Sequence, residues 1–343
     1  MIKIHSPFWW ESLTDTELLR VRLCDLELSL ENAPHVSMAL NRLHRELENK
    51  KIAFQPHAWI SDEWFSPDSM PGIAIPFYLL HPKLIRLEKN YIGKVEGLKP
   101  DHFMKLLRHE TGHAIESAYH TRKHPLRIEL FGPSEIPYPS QYTAKRYSKN
   151  FVKHLEENYA QAHPDEDFAE TFAVWLTPGS KWKEQYIGTK ALDKLLGMNS
   201  LMKEIQLQEP ILTNQRRLEP IEKDKRTLRE YFMAKKRRIL VRSLLSSQFK
   251  MNRIFTPVKE HPRSPSAHSV LRRHKKELIV AVAEKTNQYH YNIERMFNHL
   301  VKDCKQNKLH LKVRASEAKV KLEKELVRNA KTYFEKGHHR IIM

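Results

Sequence analysis

At 343 residues, with 40% hydrophobic residues and six tryptophans, the chain is long enough for about two domains, each with a real core. Nine glycines against 29% charged residues argue against a β-sandwich and for a helix-rich protein. The net charge of +18 is unevenly placed: residues 201–343 hold 34 Lys+Arg and 15 Asp+Glu, residues 1–200 hold 25 and 26, so an anionic partner is expected at the second part.

No apolar run reaches membrane-spanning length, and the opening "MIKIHSPFWWESLTDTELL" has no signal-peptide core. Cys24 and Cys304 stand far apart without metal-type spacing, which argues against a disulfide framework. A cytoplasmic location is the expectation.

In chain order, "RVRLCDLELSL" (20–30) alternates apolar and polar residues and predicts a strand with one buried face. "HVSMALNRLHRELENKK" has helical spacing, and "IAFQPHAWI" (52–60) predicts a second strand. "PGIAIPFYLL" (71–80) predicts a third, placed at a sheet edge by Pro76, which has no N–H for a ladder; such an edge could take a substrate backbone as an added strand. Helices are expected at 83–92 and 100–119. Residues 121–147, rich in Pro, Tyr, Ser and basic side chains, predict a long surface excursion, followed by a helix over 148–161. "PDEDFAETFAVWLTPG" predicts a sharply bounded helix: Pro164 and an acidic first turn at one end, Pro178-Gly179 at the other. Beyond these come a basic amphipathic helix at 226–249, a Pro/Ser linker at 256–268, and helices at 269–300 and 314–335. The expectation is an α+β domain over 1–205, with a small sheet beside its site-bearing helices, then a basic, mostly helical region over 206–343.

The chemistry concentrates in "RHETGH" (108–113). On a helix His109 and His113 share a face and can reach one Zn²⁺, while Glu110, rotated about 100° away, is placed to handle the proton of a metal-bound water. Two histidines flanking a glutamate on a structural helix satisfy the same pattern, so the pentapeptide needs a further ligand to carry weight. One peptidase pattern continues to a glycine and a third histidine, but those positions hold Glu116 and Tyr119. The acidic helix is the next source. Glu166 and Glu170 are one turn apart, which lets Glu166 bind the metal and Glu170 accept the outer N–H of a ligand histidine. Glu170, Asp167 and His163 remain as other possible third ligands, and the acidic turn also suits a helix dipole alone. His57 and His163 are expected to be structural.

"HETGHAIESAY" followed by "YAQAHPDEDFAETFAVWL" resembles the glutamate-zincin metallopeptidases, whose third ligand is a Glu on a later helix with an acidic support four positions on; Glu166 and Glu170 match that spacing. The Glu-x-Phe-Ala-Glu run also looks like the protease domain of anthrax lethal factor, in which a tyrosine seven residues before the ligand Glu lines the site; that position here is Tyr159. Closer still, "RLCDLELSLE", "FQPHAWISDEWFSPD", "PGIAIPFYLLHP", "RHETGHAIE" and "HPDEDFAETFAVWL" resemble a family of bacterial proteins described as zinc-binding metallopeptidases, over about residues 20–200. The resemblance implies a zincin fold, Zn²⁺ on His109, His113 and Glu166, Glu110 as catalytic base, Glu170 behind a ligand, Tyr159 beside the oxyanion, and a peptide or protein substrate. The alternative is a non-catalytic zinc protein that meets nucleic acid or another polyanion through residues 226–276, where "KKRR" and "RRHKK" lie.

Overall fold

The structure is a computed structural model that describes residues 8–138, 144–145, 147–244, 253–257, 264–286, 288, 290–306 and 308–335. The described chain divides into two compact units, one running to Arg237 and one starting at Arg238.

The first unit is built from α1 (Pro34–Asn49), β1 (His57–Ser61), β2 (Gly72–Pro76), α2 (Pro82–Ile92), α3 (Pro100–Tyr119), α4 (Pro125–Phe131), α5 (Pro164–Leu176), α6 (Lys190–Ile205) and the start of α7 (Leu228–Leu244). Five of these helices open on a proline, whose missing N–H is one that a first turn leaves unbonded anyway. In three of them the residue before that proline is a histidine whose Nδ1 accepts a first-turn N–H: His81 from Lys83, His124 from Leu126 and His163 from Asp165. His-Pro is therefore this chain's recurrent helix start. β1 and β2 pair in parallel, His57 with Gly72 through Ser61 with Pro76, and α3 packs between this sheet, α1 and α5.

Residues 20–30 are not a strand. They form two 3₁₀ turns, Leu23–Leu26 and Leu30–Asn32, with Arg22 bridged to Thr227. Leu23 and Leu26, the buried pair, fit a spacing of three as well as they fit an apolar run in an extended chain. β2 is not a free edge at its centre: Ala74 pairs with Trp59 of β1 on one side, and its N–H bonds the Phe65 carbonyl on the other at 2.8 Å. All five of its residues are buried, and Pro76 closes the strand. Of the helix expected over 148–161, only the 3₁₀ turn Glu156–Gln161 forms. The excursion contains α4.

The expected boundary at 205/206 falls inside the first unit. Ile221, Leu228, Tyr231 and Phe232 belong to its core, and the carbonyls of Arg216, Leu218 and Glu219 are bonded by His57, Trp59 and Ser61 of β1. The basic character begins before the core ends, because surface charge carries no information about which apolar residues are shared. Lys235 of "KKRR" is itself turned inward, onto Glu88 at 2.9 Å and Glu63 at 3.0 Å.

The second unit pairs β3 (Phe255–Pro257) with β4 (Leu309–Leu311) antiparallel, beside α8 (Ala267–Arg273), α9 (Lys275–Thr286), α10 (His290–Gln306) and α11 (Ala315–Glu335), around a separate core that includes Leu271, Phe297 and Leu322. The helix expected over 269–300 is thus divided among three, and the expected linker contributes a strand at its start; residues 258–263 of it lie outside the described residues. Among the described residues no helix is long and apolar enough to cross a membrane.

Candidate metal centre

From Phe103 onward α3 is buried on nearly all sides, so its polar side chains must find partners inside the protein. Arg108 does so on α1, with Nε and Nη2 on the two oxygens of Glu46 at 2.7 and 2.8 Å. One position on, His109 and His113 face α5. The helices can meet there because Gly112 has no side chain: a Cβ on it would lie 2.8 Å from the Cα of Ala169.

α5 is aimed by its first turn. His163 caps it, Pro164 opens it, and Glu166 and Glu170 then face α3 one turn apart. Oε2 of Glu166 stands 3.1 Å from Nε2 of His109 and 3.4 Å from Nε2 of His113, and the two imidazole nitrogens are 3.2 Å apart. One donor atom from each of the three residues lies within 4.8 Å of the others. Behind them, Oε1 of Glu170 is 2.9 Å from Nδ1 of His109, and its Oε2 accepts the Leu155 N–H at 2.9 Å.

The proton placement follows. A carboxylate at Nδ1 of His109 puts the proton there, leaving Nε2 with its lone pair. In that tautomer the lone pair faces the buried, anionic Oε2 of Glu166 at 3.1 Å, an arrangement that needs a proton or a metal ion between the two. Acceptors crowded together out of water call for a cation. The same demand appears in the proton affinities. Burial works against a charged His109, but the carboxylates of Glu166 and Glu170 outweigh it and push its pKa up to about 10. His113 is raised in the same sense, against burial, by Glu166. Burial would raise Glu166, but the two imidazoles hold it well below the usual carboxylate range. Two imidazoles and a carboxylate, supported from behind by Glu170, are a donor set that fits Zn²⁺.

Glu110 is buried beside these groups, and burial pushes its carboxyl above the ordinary range, opposed by the two histidines. Tyr159, in the 3₁₀ turn Glu156–Gln161, has its ring centroid 5.7 Å from that of His109. The other acidic and imidazole candidates are engaged elsewhere. Asp167 is paired with Lys194. His163 joins the Asp165 N–H to the Ile136 carbonyl, and His57 lies on the Arg216 carbonyl. Glu116 is buried against Arg127 and Arg122, and the Tyr119 hydroxyl donates to the Gln208 carbonyl.

Two elements of the centre have no sequence signal: the Leu155 N–H on Glu170, and the hydroxyl of Tyr138, which donates to Oε1 of Glu166 at 2.9 Å. Both come from irregular segments, where no periodicity says which way a group points.

Residues 102–192, from the first turn of α3 into α6, match the model of a protein family described as "Putative zinc-binding metallo-peptidase". This is the family that "RHETGHAIE" and "HPDEDFAETFAVWL" resemble; the match contains all six site residues named from the sequence and does not extend to the motifs before residue 102. No curated protein and no solved structure matches the chain.

Proposed function

We propose that this protein is a zinc-dependent metallopeptidase that hydrolyses peptide or other amide bonds. The observation that carries the reading is the convergence of one donor atom each from the buried His109, His113 and Glu166 within 4.8 Å of one another, with Glu110 on the same helix as the histidines. His109, His113 and Glu166 would hold the metal, and Glu170 would keep His109 in the tautomer that offers Nε2. Bound there, Zn²⁺ polarises the scissile carbonyl and lowers the pKa of the attacking water. The Glu110 carboxylate takes the proton of that water and returns it to the leaving amine nitrogen. The Tyr159 hydroxyl donates to the oxyanion formed from the carbonyl.

Metal analysis and peptide-library cleavage with wild type and Glu110→Gln test this. About one zinc per chain is expected, with cleavage that Glu110→Gln abolishes while retaining zinc. Absence of zinc rejects the centre, and zinc without cleavage leaves a metal-binding scaffold.

A second property is supported by a pocket of about 460 Å³ in the second unit, lined by Arg272, Lys275, Lys302 and Lys305 together with Asn298 and Val301. Lys275 is paired with Glu294, whereas the other three have no ion pair among the described residues. Such a lining suits an anionic partner. Salt-sensitive retention on heparin that is lost in the Arg272→Ala/Lys302→Ala/Lys305→Ala protein would support it; retention unchanged by these substitutions would reject it.

A further inference from the structure

Residues 132–138 leave α4 and run back along the first turn of α5. Four contacts tie them there. Arg127 donates to the Gly132 carbonyl. Ser134 Oγ donates to Oδ1 of Asp165 at 2.7 Å. His163, whose Nδ1 accepts the Asp165 N–H, carries its proton on Nε2 and donates to the Ile136 carbonyl at 2.6 Å. The Tyr138 hydroxyl then reaches Oε1 of Glu166, and its ring lies flat on His163, with centroids 3.7 Å apart and planes 10° from parallel. Tyr138 is 56% exposed, so the stack on His163 and the bond to Glu166 are the contacts that hold it here.

The two oxygens of Glu166 are thereby made different. Oε1 accepts the Tyr138 hydroxyl at 2.9 Å, while Oε2 faces the imidazoles at 3.1 and 3.4 Å. A carboxylate without such a bond can turn and offer both oxygens to a metal. We propose that Tyr138 is a positioning residue of the metal centre: its hydroxyl holds Oε1 so that Glu166 presents Oε2 alone. Three single-atom ligands then leave the fourth position free for the reacting groups. The inference rests on the metal-centre reading above and concerns a residue distinct from Tyr159.

The test uses the full chain, wild type, Tyr138→Phe and Ser134→Ala, each loaded with Co²⁺ for its visible spectrum and titrated with Zn²⁺ against a chelator. Tyr138→Phe keeps the ring on His163 and removes only the hydroxyl. The expected result is a weaker, shifted visible band, reporting a higher coordination number as Glu166 turns bidentate, with zinc affinity about 10–100-fold lower. Ser134→Ala, which loosens the same segment without touching Glu166, should match wild type in both. An unchanged band in Tyr138→Phe, or an equal change in Ser134→Ala, overturns the proposal. Wild-type protein that takes up neither metal overturns the metal centre itself, a failure read from the wild type alone.

Discussion

Gly112→Ala probes the contact on which the centre depends. The added Cβ would stand 2.8 Å from the Cα of Ala169, 3.2 Å from its Cβ and 3.3 Å from its carbonyl oxygen. Carbon atoms rest at roughly 3.5–4.0 Å, so α3 and α5 must part by about 0.7 Å or more at their crossing. Overpacking of this kind costs about 1–3 kcal/mol, and replacing a mid-helix glycine by alanine offsets about 0.5–1 kcal/mol of it. The net expectation is a loss of about 1–2 kcal/mol, or roughly 3–6 °C in Tm for a unit of this size. The parting also separates His109 and His113 from Glu166, whereas metal–ligand distances tolerate only about 0.2 Å. Zinc affinity should therefore fall by about tenfold or more. Thermal melts with and without chelator measure the first effect, and zinc competition the second. Adding Ala169→Gly should rescue little, since the nearest atom is backbone. A Gly112→Ala protein that melts with wild type and binds zinc equally well would refute the reasoning.

Arg127 is fully buried between Glu116 and Asp165, and Arg127→Leu leaves Arg122, at 3.3 and 3.9 Å, as the one arginine beside them among the described residues, so it should cost about 3 kcal/mol in urea unfolding, the low end for a broken buried pair. Adding Glu116→Gln should recover part of that loss; no recovery would argue against the charge account. Burial pushes the pKa of Glu96 up to about 7, with Lys94 acting in opposition. A carboxyl that binds its proton more tightly when folded stabilises the fold below its unfolded value of about 4.5, and that contribution is lost as pH rises through about 7. Glu96→Gln should therefore gain on wild type between pH 5 and pH 8 in paired urea melts, and a constant difference would contradict the shift. Tyr159→Phe should lower turnover while leaving zinc content intact; unchanged turnover would remove its role at the oxyanion.

The helices that form the centre were legible because their signals are local. A proline at the first position, a cap and the 3.6-residue period set the bounds of α3 and α5 within a few residues. The strand expected at 20–30 failed because short apolar runs fit more than one period, and the choice was made by a distant partner: the backbone at 224–227 takes the N–H groups of Leu23 and Cys24. The unit boundary failed for a related reason. Charge shifts toward basic before Ile221, Leu228 and Phe232 have joined the first core, and core membership depends on what the segment meets across space.

By itself the sequence determined that His109 and His113 share a helix face, that Glu110 is turned away from them, and that an acidic turn opens a second helix, since all of these follow from the geometry of one helix at a time. It left Glu166, Glu170, Asp167 and His163 open as the third donor. Tertiary structure brought Oε2 of Glu166 to the imidazoles, put Glu170 behind His109, drew Asp167 to Lys194 and set His163 under Tyr138. The first two follow from the crossing of α3 and α5 at Gly112 and Ala169, and the others from α6 and from the segment before residue 138, contacts between segments far apart in the chain that no local period encodes.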